Sequence, residues 1–272
     1  MLRFAGRSHP GRREGPNEDS IGWAPDKRLF LVADGMGGHQ RGDLASGVVR
    51  DTVLREAGDG PLAPAIMAAH RAVIAAAPSE EARGQLGSTV VVARLGPAPG
   101  VCEIGWVGDS RCYRWRGGQL ESLTRDHSVV ELLREEQQLT DTQVRTHPHR
   151  NLVTQTLGMG EPVPATAEVQ LQTGDWLLLC SDGLHGELRD REIAEALGRS
   201  KSPDQAVEQL VDAALDRGAR DNVSTVVVEY TGPSHGTQGS ARGMGPVALA
   251  VLAGIIGALL AVAIWLWLGQ AG

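Results

Sequence analysis

Cysteine is scarce in this 272-residue chain, and the three present, Cys102, Cys112 and Cys180, form no CxxC pair. Odd in number and set in apolar, strand-like runs, they exclude a disulfide frame and a zinc site and read as reduced core thiols of a cytosolic domain. Positive charge is also short: the net charge is −7, which leaves no basic footprint for nucleic acid and removes that class of partner. The N-terminus lacks a long apolar stretch, so no secretory signal is read there. What remains, at 42% hydrophobic residues, suffices for one sizeable core plus an appendage.

The chain is organised around Leu29 to His39, LFLVADGMGGH. Leu29 to Ala33 has the apolar, β-branched character of a buried strand, and Asp34 is expected where that strand gives way to loop. Gly35, Gly37 and Gly38 let the backbone turn tightly and approach whatever the carboxylate holds. A carboxylate beside bare carbonyls suits a hard cation; a strand-to-helix turn with a capping Asp is the alternative. Its neighbours share its grammar. Asn17-Glu18-Asp19-Ser20 lies upstream; Gly108-Asp109-Ser110-Arg111, Cys180-Ser181-Asp182-Gly183 and Arg220-Asp221-Asn222 follow. Several of these place one Asp beside a β-like run, as if carboxylates were gathered at one edge of a sheet system.

This motif set, with Gly87-Ser88-Thr89, resembles the bacterial form of the metal-dependent protein Ser/Thr phosphatases of type 2C (PPM family), in the family's order and approximate spacing from about Pro10 to Tyr230. The resemblance implies an α+β fold, a four-layer α-β-β-α sandwich of two antiparallel sheets flanked by helix pairs. It also implies two Mn²⁺ or Mg²⁺ ions that activate water against phosphoserine or phosphothreonine on protein substrates. By the same resemblance Asp34 bridges the ions, with the Gly35 carbonyl on one side and Asp182 and Asp221 on the other, while Glu18 and Asp19 act mainly through coordinated water. Asp109, with Asp182, is assigned a third, weaker ion, against the competing role of a turn former before Ser110-Arg111. The family grips substrate phosphate with an arginine shortly before Asn-Glu-Asp, because a guanidinium fork matches phosphate oxygens. Here the usual place holds Glu14, so the role passes to Arg13 with a one-residue shift, against a merely solvated arginine. Met36 stands where many eukaryotic relatives carry a histidine acid; His39 reads as a structural cap.

The periodicity supports this layout. Apolar residues at helical spacing predict helices over Asp43 to Ala57 and Leu62 to Ala77, broken by Gly58-Asp59-Gly60-Pro61. Short strands are predicted at Ser88 to Leu95, Val101 to Val107, Arg111 to Trp115, Gln119 to Leu123, Trp176 to Cys180 and Val223 to Tyr230, with Gly117-Gly118 as a hairpin turn. A helix at Val129 to Gln138 and a polar stretch to Arg150 correspond to the family's variable flap. His147 and His149 around Pro148 read as solvated loop histidines. Asp190 is expected to cap a helix over Arg191 to Leu197, and Ser202-Pro203 to open another that stops at Gly218.

The domain plan is a catalytic domain over residues 1–232, a flexible Gly/Ser-rich linker over 233–245 and a transmembrane helix over 246–268. Pro246 to Leu268 carries no charge and would span roughly 34 Å as a helix, matching a bilayer core. Arg242 precedes it and no cation follows, so the catalytic domain is expected on the cytoplasmic side of the inner membrane, facing phosphoproteins and opposing a Ser/Thr kinase. A catalytically dead phospho-binding module and a hydrolase of small phosphoesters are the competing readings.

Overall fold

The computed structural model describes residues 2–12, 15–37, 41–77, 79, 84–137 and 139–233. The chain divides into two compact units, Met1–Ser234 and His235–Gly272, and only the first holds described residues. The predicted span 246–268 and nearly all of the predicted linker lie outside them. Among the described residues no helix is long and apolar enough to cross a membrane.

Two antiparallel sheets stack face to face. The first takes β1 (Leu2–His9), β11 (Val223–Tyr230), β10 (Trp176–Cys180), β7 (Arg111–Arg116) and β8 (Gln119–Ser122), in that spatial order. The second orders β2 (Asp19–Ala24), β3 (Leu29–Gly37), β5 (Val90–Leu95), β6 (Val101–Val107) and β9 (Ala165–Gln170), with short β4 (Leu86–Ser88) beside β3. Gly117 and Gly118 take φ of 55° and 87°, the positive values of a tight β7–β8 turn, as the pair of glycines predicts.

Alternation along the strands feeds three apolar layers. Phe30, Val32, Val91 and Ile104 face Cys112, Leu177, Leu179 and Val226 between the sheets. Leu29, Leu31 and Ala33, on the other face of β3, meet Ala45, Val49 and Val53 of α1 (Gly42–Glu56) and Ile66 and Val73 of α2 (Leu62–Ala75). On the far side, Leu178 and Val227 pack under α6 (Asp190–Arg199) and α7 (Pro203–Asp216) through Ile193, Leu197, Leu210 and Val211. Each Leu, Ile, Val or Phe among them contributes about 1.5–3 kcal/mol by leaving water, and β3, apolar on both faces, is buried from two sides. The four-layer sandwich expected from the sequence is the observed one.

All three cysteines are free and buried, which keeps their thiols protonated: burial pushes Cys102 up to about 12 and Cys112 and Cys180 higher than usual. Two local expectations need correction. β3 does not end at Asp34 but runs on to Gly37, because Gly35, Met36 and Gly37 pair with Ser88, Gly87 and Leu86 of β4. Asp190 is not a cap: Arg189 occupies that place, and Glu192 accepts from its backbone N–H at 2.9 Å. Ser202 does cap α7, accepting from the Gln205 N–H at 3.3 Å with Pro203 in the first turn.

Between β8 and β9 lies the flap, with α3 (Val129–Gln137) and α4 (Asp141–Thr146). Thr140 caps α4 in a capping box with Gln143, a signal the sequence reading passed over as polar loop. Leu157 closes the flap onto the core by exchanging backbone hydrogen bonds of 2.8 and 3.0 Å with Ser88. His147 and His149 meet ring to ring at 5.5 Å, and the His149 N–H donates to His147 Nδ1 at 3.1 Å.

Candidate active site

The acidic motifs converge because strand pairing puts them on one edge. β2 and β3 are in register with Asp19 directly opposite Asp34. β10 and β11 of the other sheet end at the same edge. There the Ser181 hydroxyl donates to Asp19 Oδ2 at 2.7 Å and accepts from the Ser224 N–H at 3.0 Å, so residues far apart in sequence are tied across the two sheets. Asp182 opens the short helix α5 (Asp182–His185), and Asp221 precedes β11.

Asp34 is held by its backbone, which frees its carboxylate. Its N–H donates to Thr89 Oγ1 at 3.1 Å, and its carbonyl accepts from the Thr89 N–H at 2.8 Å and the Ser88 hydroxyl at 3.0 Å. Gly35 follows where space is tightest: a Cβ there would stand 1.9 Å from the Gly42 carbonyl oxygen, so only glycine fits between β3 and the start of α1. Glu18 has a task the sequence did not signal, its Oε1 accepting from the Gly42 N–H at 2.9 Å at the positive end of α1. Asn222 was also missed. It accepts from the Glu18 N–H at 2.7 Å and donates to the Pro10 carbonyl at 3.0 Å, fixing the acidic triplet to the Asp221 loop. Its place directly after Asp221 was the available clue.

The electrostatics are those of a crowded acid cluster. Burial, and then the charges of Asp19, Asp182, Asp109 and Asp221, hold the Asp34 carboxyl well above its ordinary range. Burial pushes Asp19 up to about 7 against hydrogen bonds from Ser224 and Ser181, and Asp182, buried beside Asp221, to about 6. Asp109 is raised likewise by burial, then by Asp182 and Asp126. Beside them Arg111 grips Asp126 through two hydrogen bonds of 2.8 and 2.7 Å, which outweigh burial and lower that carboxyl. His185 turns Nε2 to the Asp109 carbonyl at 3.1 Å; burial and the charge of Arg111 lower it to about 3, so its ring is neutral.

Asp19, Asp34, Asp109, Asp182 and Asp221 are thus brought to one edge, with Gly35 and Glu18 beside them; Arg13 and His39 lie outside the described residues. Among the described residues no group of three or more His, Cys, Asp or Glu side chains is arranged, as it stands, to hold a metal ion. The donor chemistry nevertheless fits divalent ions. Asp19 Oδ1 and Asp182 Oδ1 are buried without a hydrogen-bond partner, and hard oxygens left unpaired among like charges are what Mg²⁺ and Mn²⁺ take as ligands.

Comparison with known proteins agrees with this geometry. The chain is 34% identical over 244 residues to the Ser/Thr protein phosphatase PstP of Mycobacterium tuberculosis, a match covering 87% of this chain and 46% of that protein, so it spans about half the length of that relative. The crystal structure of M. tuberculosis PstP/Ppp superposes with a TM-score of 0.78 at 32% identity, over 86% of this chain and 99% of that one. The PstP catalytic domain in complex with two manganese ions gives a TM-score of 0.75 at 31% identity, over 84% of this chain and 97% of that one. The family profile described as protein phosphatase 2C matches residues 5–226. With sandwich, acidic edge and profile in agreement over most of its length, the chain belongs to the protein phosphatase 2C family.

Proposed function

We propose that the chain hydrolyses phosphoserine and phosphothreonine on proteins. The observation that carries this reading is the pair of orphaned oxygens, Asp19 Oδ1 and Asp182 Oδ1, at an edge where five aspartates meet. Mn²⁺ or Mg²⁺ bound there would supply a nucleophilic water and neutralise charge on the transferring phosphoryl group. Asp34, Asp182 and Asp221 would hold the ion pair with the Gly35 carbonyl, Glu18 and Asp19 serving through water, and Asp109 with Asp182 a third ion. The protein's own part is orientation: Thr89 and Ser88 lock the Asp34 backbone, Ser181 aims Asp19, and Asn222 fixes the spacing of Glu18 from Asp221. Arg13 is assigned the substrate phosphate on the sequence argument. The neutral His185 stays on the Asp109 carbonyl and does not serve as an acid.

The uncharged stretch from Pro246 to Leu268 supports a single-pass anchor in the cytoplasmic membrane, with the catalytic domain in the cytoplasm and a membrane-linked Ser/Thr kinase as its opponent. Initial rates on a phosphothreonine peptide and on small phosphoesters, for the wild type and Asp182→Asn with Mn²⁺, test the activity. Peptide turnover that the variant loses is expected; preference for small metabolites, or equal turnover by both enzymes, would overturn it. Membrane fractionation of the full chain and of residues 1–233 tests the anchor.

A further inference from the structure

The strand that steadies Asp34 from outside is very short. β4 has three residues; on one side it pairs with Gly35, Met36 and Gly37 of β3, and its Ser88 hydroxyl donates to the Asp34 carbonyl at 3.0 Å. Its other side is covered by residues 157–159, where the flap returns to the core. Leu157, fully buried, exchanges its two backbone hydrogen bonds with Ser88. Gly158 takes φ of 88°, and a Cβ there would stand 2.4 Å from the Leu86 carbonyl oxygen. A Cβ on Gly87 would stand 2.9 Å from Met159 Cε, so that methionine also lies against β4.

One side chain from outside the sheets holds this strap. His70, buried on α2, accepts the Gly158 N–H at Nδ1 across 3.0 Å, which places its own ring proton on Nε2. Burial, and then the charge of Arg71, lowers its pKa, which keeps the ring neutral and Nδ1 able to accept. The helix beneath it is well seated: Ile66, one turn earlier, packs so closely on β6 that a Cβ on Gly105 would meet it at 2.8 Å. A buried imidazole needs some partner, and most would carry no further meaning. This one belongs to the residue next to Leu157, so hydrogen bonds and one peptide bond lead without a break from His70 through Gly158, Leu157 and Ser88 to Asp34.

We propose that His70 is a positioning residue for the phosphatase reaction: its grip on the Gly158 N–H fastens residues 157–159 over β4 and so sets the direction in which Asp34 presents its carboxylate. This rests on the phosphatase reading above, in which Asp34 stands at the centre of the cluster. Groups that orient the ligands of an ion typically matter by about 10- to 100-fold in affinity or rate, and a residue acting through three others belongs at the lower end. His70 touches no substrate on this route, so its loss should appear in kcat and in the response to Mn²⁺ and leave KM for the peptide unchanged.

The test compares full chains of wild type, His70→Leu, His70→Asn and His70→Gln. Leucine fills the space without an acceptor; the Asn Oδ1 falls near the place of Nδ1, and the Gln Oε1 reaches past it. Amide hydrogen exchange on the metal-free proteins reads the strap directly. In His70→Leu, exchange is expected to quicken at Gly158, Ser88 and Thr89, whose N–H holds the Asp34 carbonyl, while the β10–β11 ladder keeps its protection. With Mn²⁺ and a phosphothreonine peptide, well below every melting temperature, kcat should fall roughly tenfold and the Mn²⁺ midpoint rise several-fold in the Leu and Gln variants, with Asn restoring both. Wild-type kcat and Mn²⁺ midpoint in His70→Leu would reduce His70 to a structural contact and overturn the proposal. An Asn variant no better than Gln overturns it too, and that comparison serves even if His70→Leu fails to fold. Unchanged exchange at Thr89 in His70→Leu overturns the route to Asp34. A wild-type chain that turns over no peptide overturns the phosphatase reading instead, so the two failures are told apart.

Discussion

Ser181 donates to Asp19 at 2.7 Å across the gap between the two sheets. The same hydroxyl accepts from the Ser224 N–H, so Ser181→Ala removes two bonds and leaves a buried carboxylate with less support. A stability loss of about 1–2 kcal/mol is expected. Titration of activity with Mn²⁺ should show weaker activation, with the midpoint rising several-fold. An unchanged midpoint would mean that Asp19 needs no help from the other sheet.

Asp34→Asn separates chemistry from stability. Turnover should fall by about 10³-fold or more, because the residue at the centre of the cluster no longer carries charge. The metal-free variant should melt no lower than the metal-free wild type, since a self-repelling carboxylate has been neutralised. Melting curves in chelator check this, and a lower variant Tm would contradict the crowding.

The pH dependence of the metal-free protein has a definite sign. Folding raises Asp19 from 3.8 to about 7 and Asp182 from 3.8 to about 6, so the folded state binds more protons than the unfolded one. Stability from these two groups is present below about pH 4 and is lost as pH rises toward 7. Cations should therefore raise Tm more at pH 7.5 than at pH 5, by an amount that differential scanning measurements with and without Mn²⁺ would show. A Tm gain that is flat over this range would exclude the raised carboxyls as its source.

Two glycines in neighbouring elements predict opposite outcomes. Gly35→Ala forces a Cβ against the Gly42 carbonyl, 1.9 Å away, and should cost more than about 3 kcal/mol. Gly47→Ala, within α1 and with nothing within 4 Å of the new methyl, should stabilise by about 0.5–1 kcal/mol. Thermal melts of the two variants check both.

Much of this was legible because it is local. The helical spacing of Ala45, Val49 and Val53, the hairpin glycines and the apolar runs of β3, β5, β10 and β11 each signal their element without help. β1, β2 and β9 were not seen. β1 reads LRFAGRSH, interrupted by arginines, and is a strand because β11 offers it a ladder from Leu2 to His9. β9, an edge strand, alternates over only six residues, ATAEVQ. The site shows the same division. The aspartates stood out by motif, whereas Ser181, Asn222 and the Thr89 contact to Asp34 acquire meaning only when two sheets meet. The β3 extension to Gly37 escaped for the same reason, its partner strand lying some fifty residues downstream.

In the ladder between the first and last strands, Leu2 faces Tyr230 and His9 faces Val223. The His9 end lies beside the aspartates; the Leu2 end is removed from them by the length of the strand, ~23 Å. Leu2 and Tyr230 thus share the end of the ladder away from the acidic edge. A fluorophore placed at Leu2 would therefore report from the end of the ladder opposite the acidic edge, clear of the aspartates.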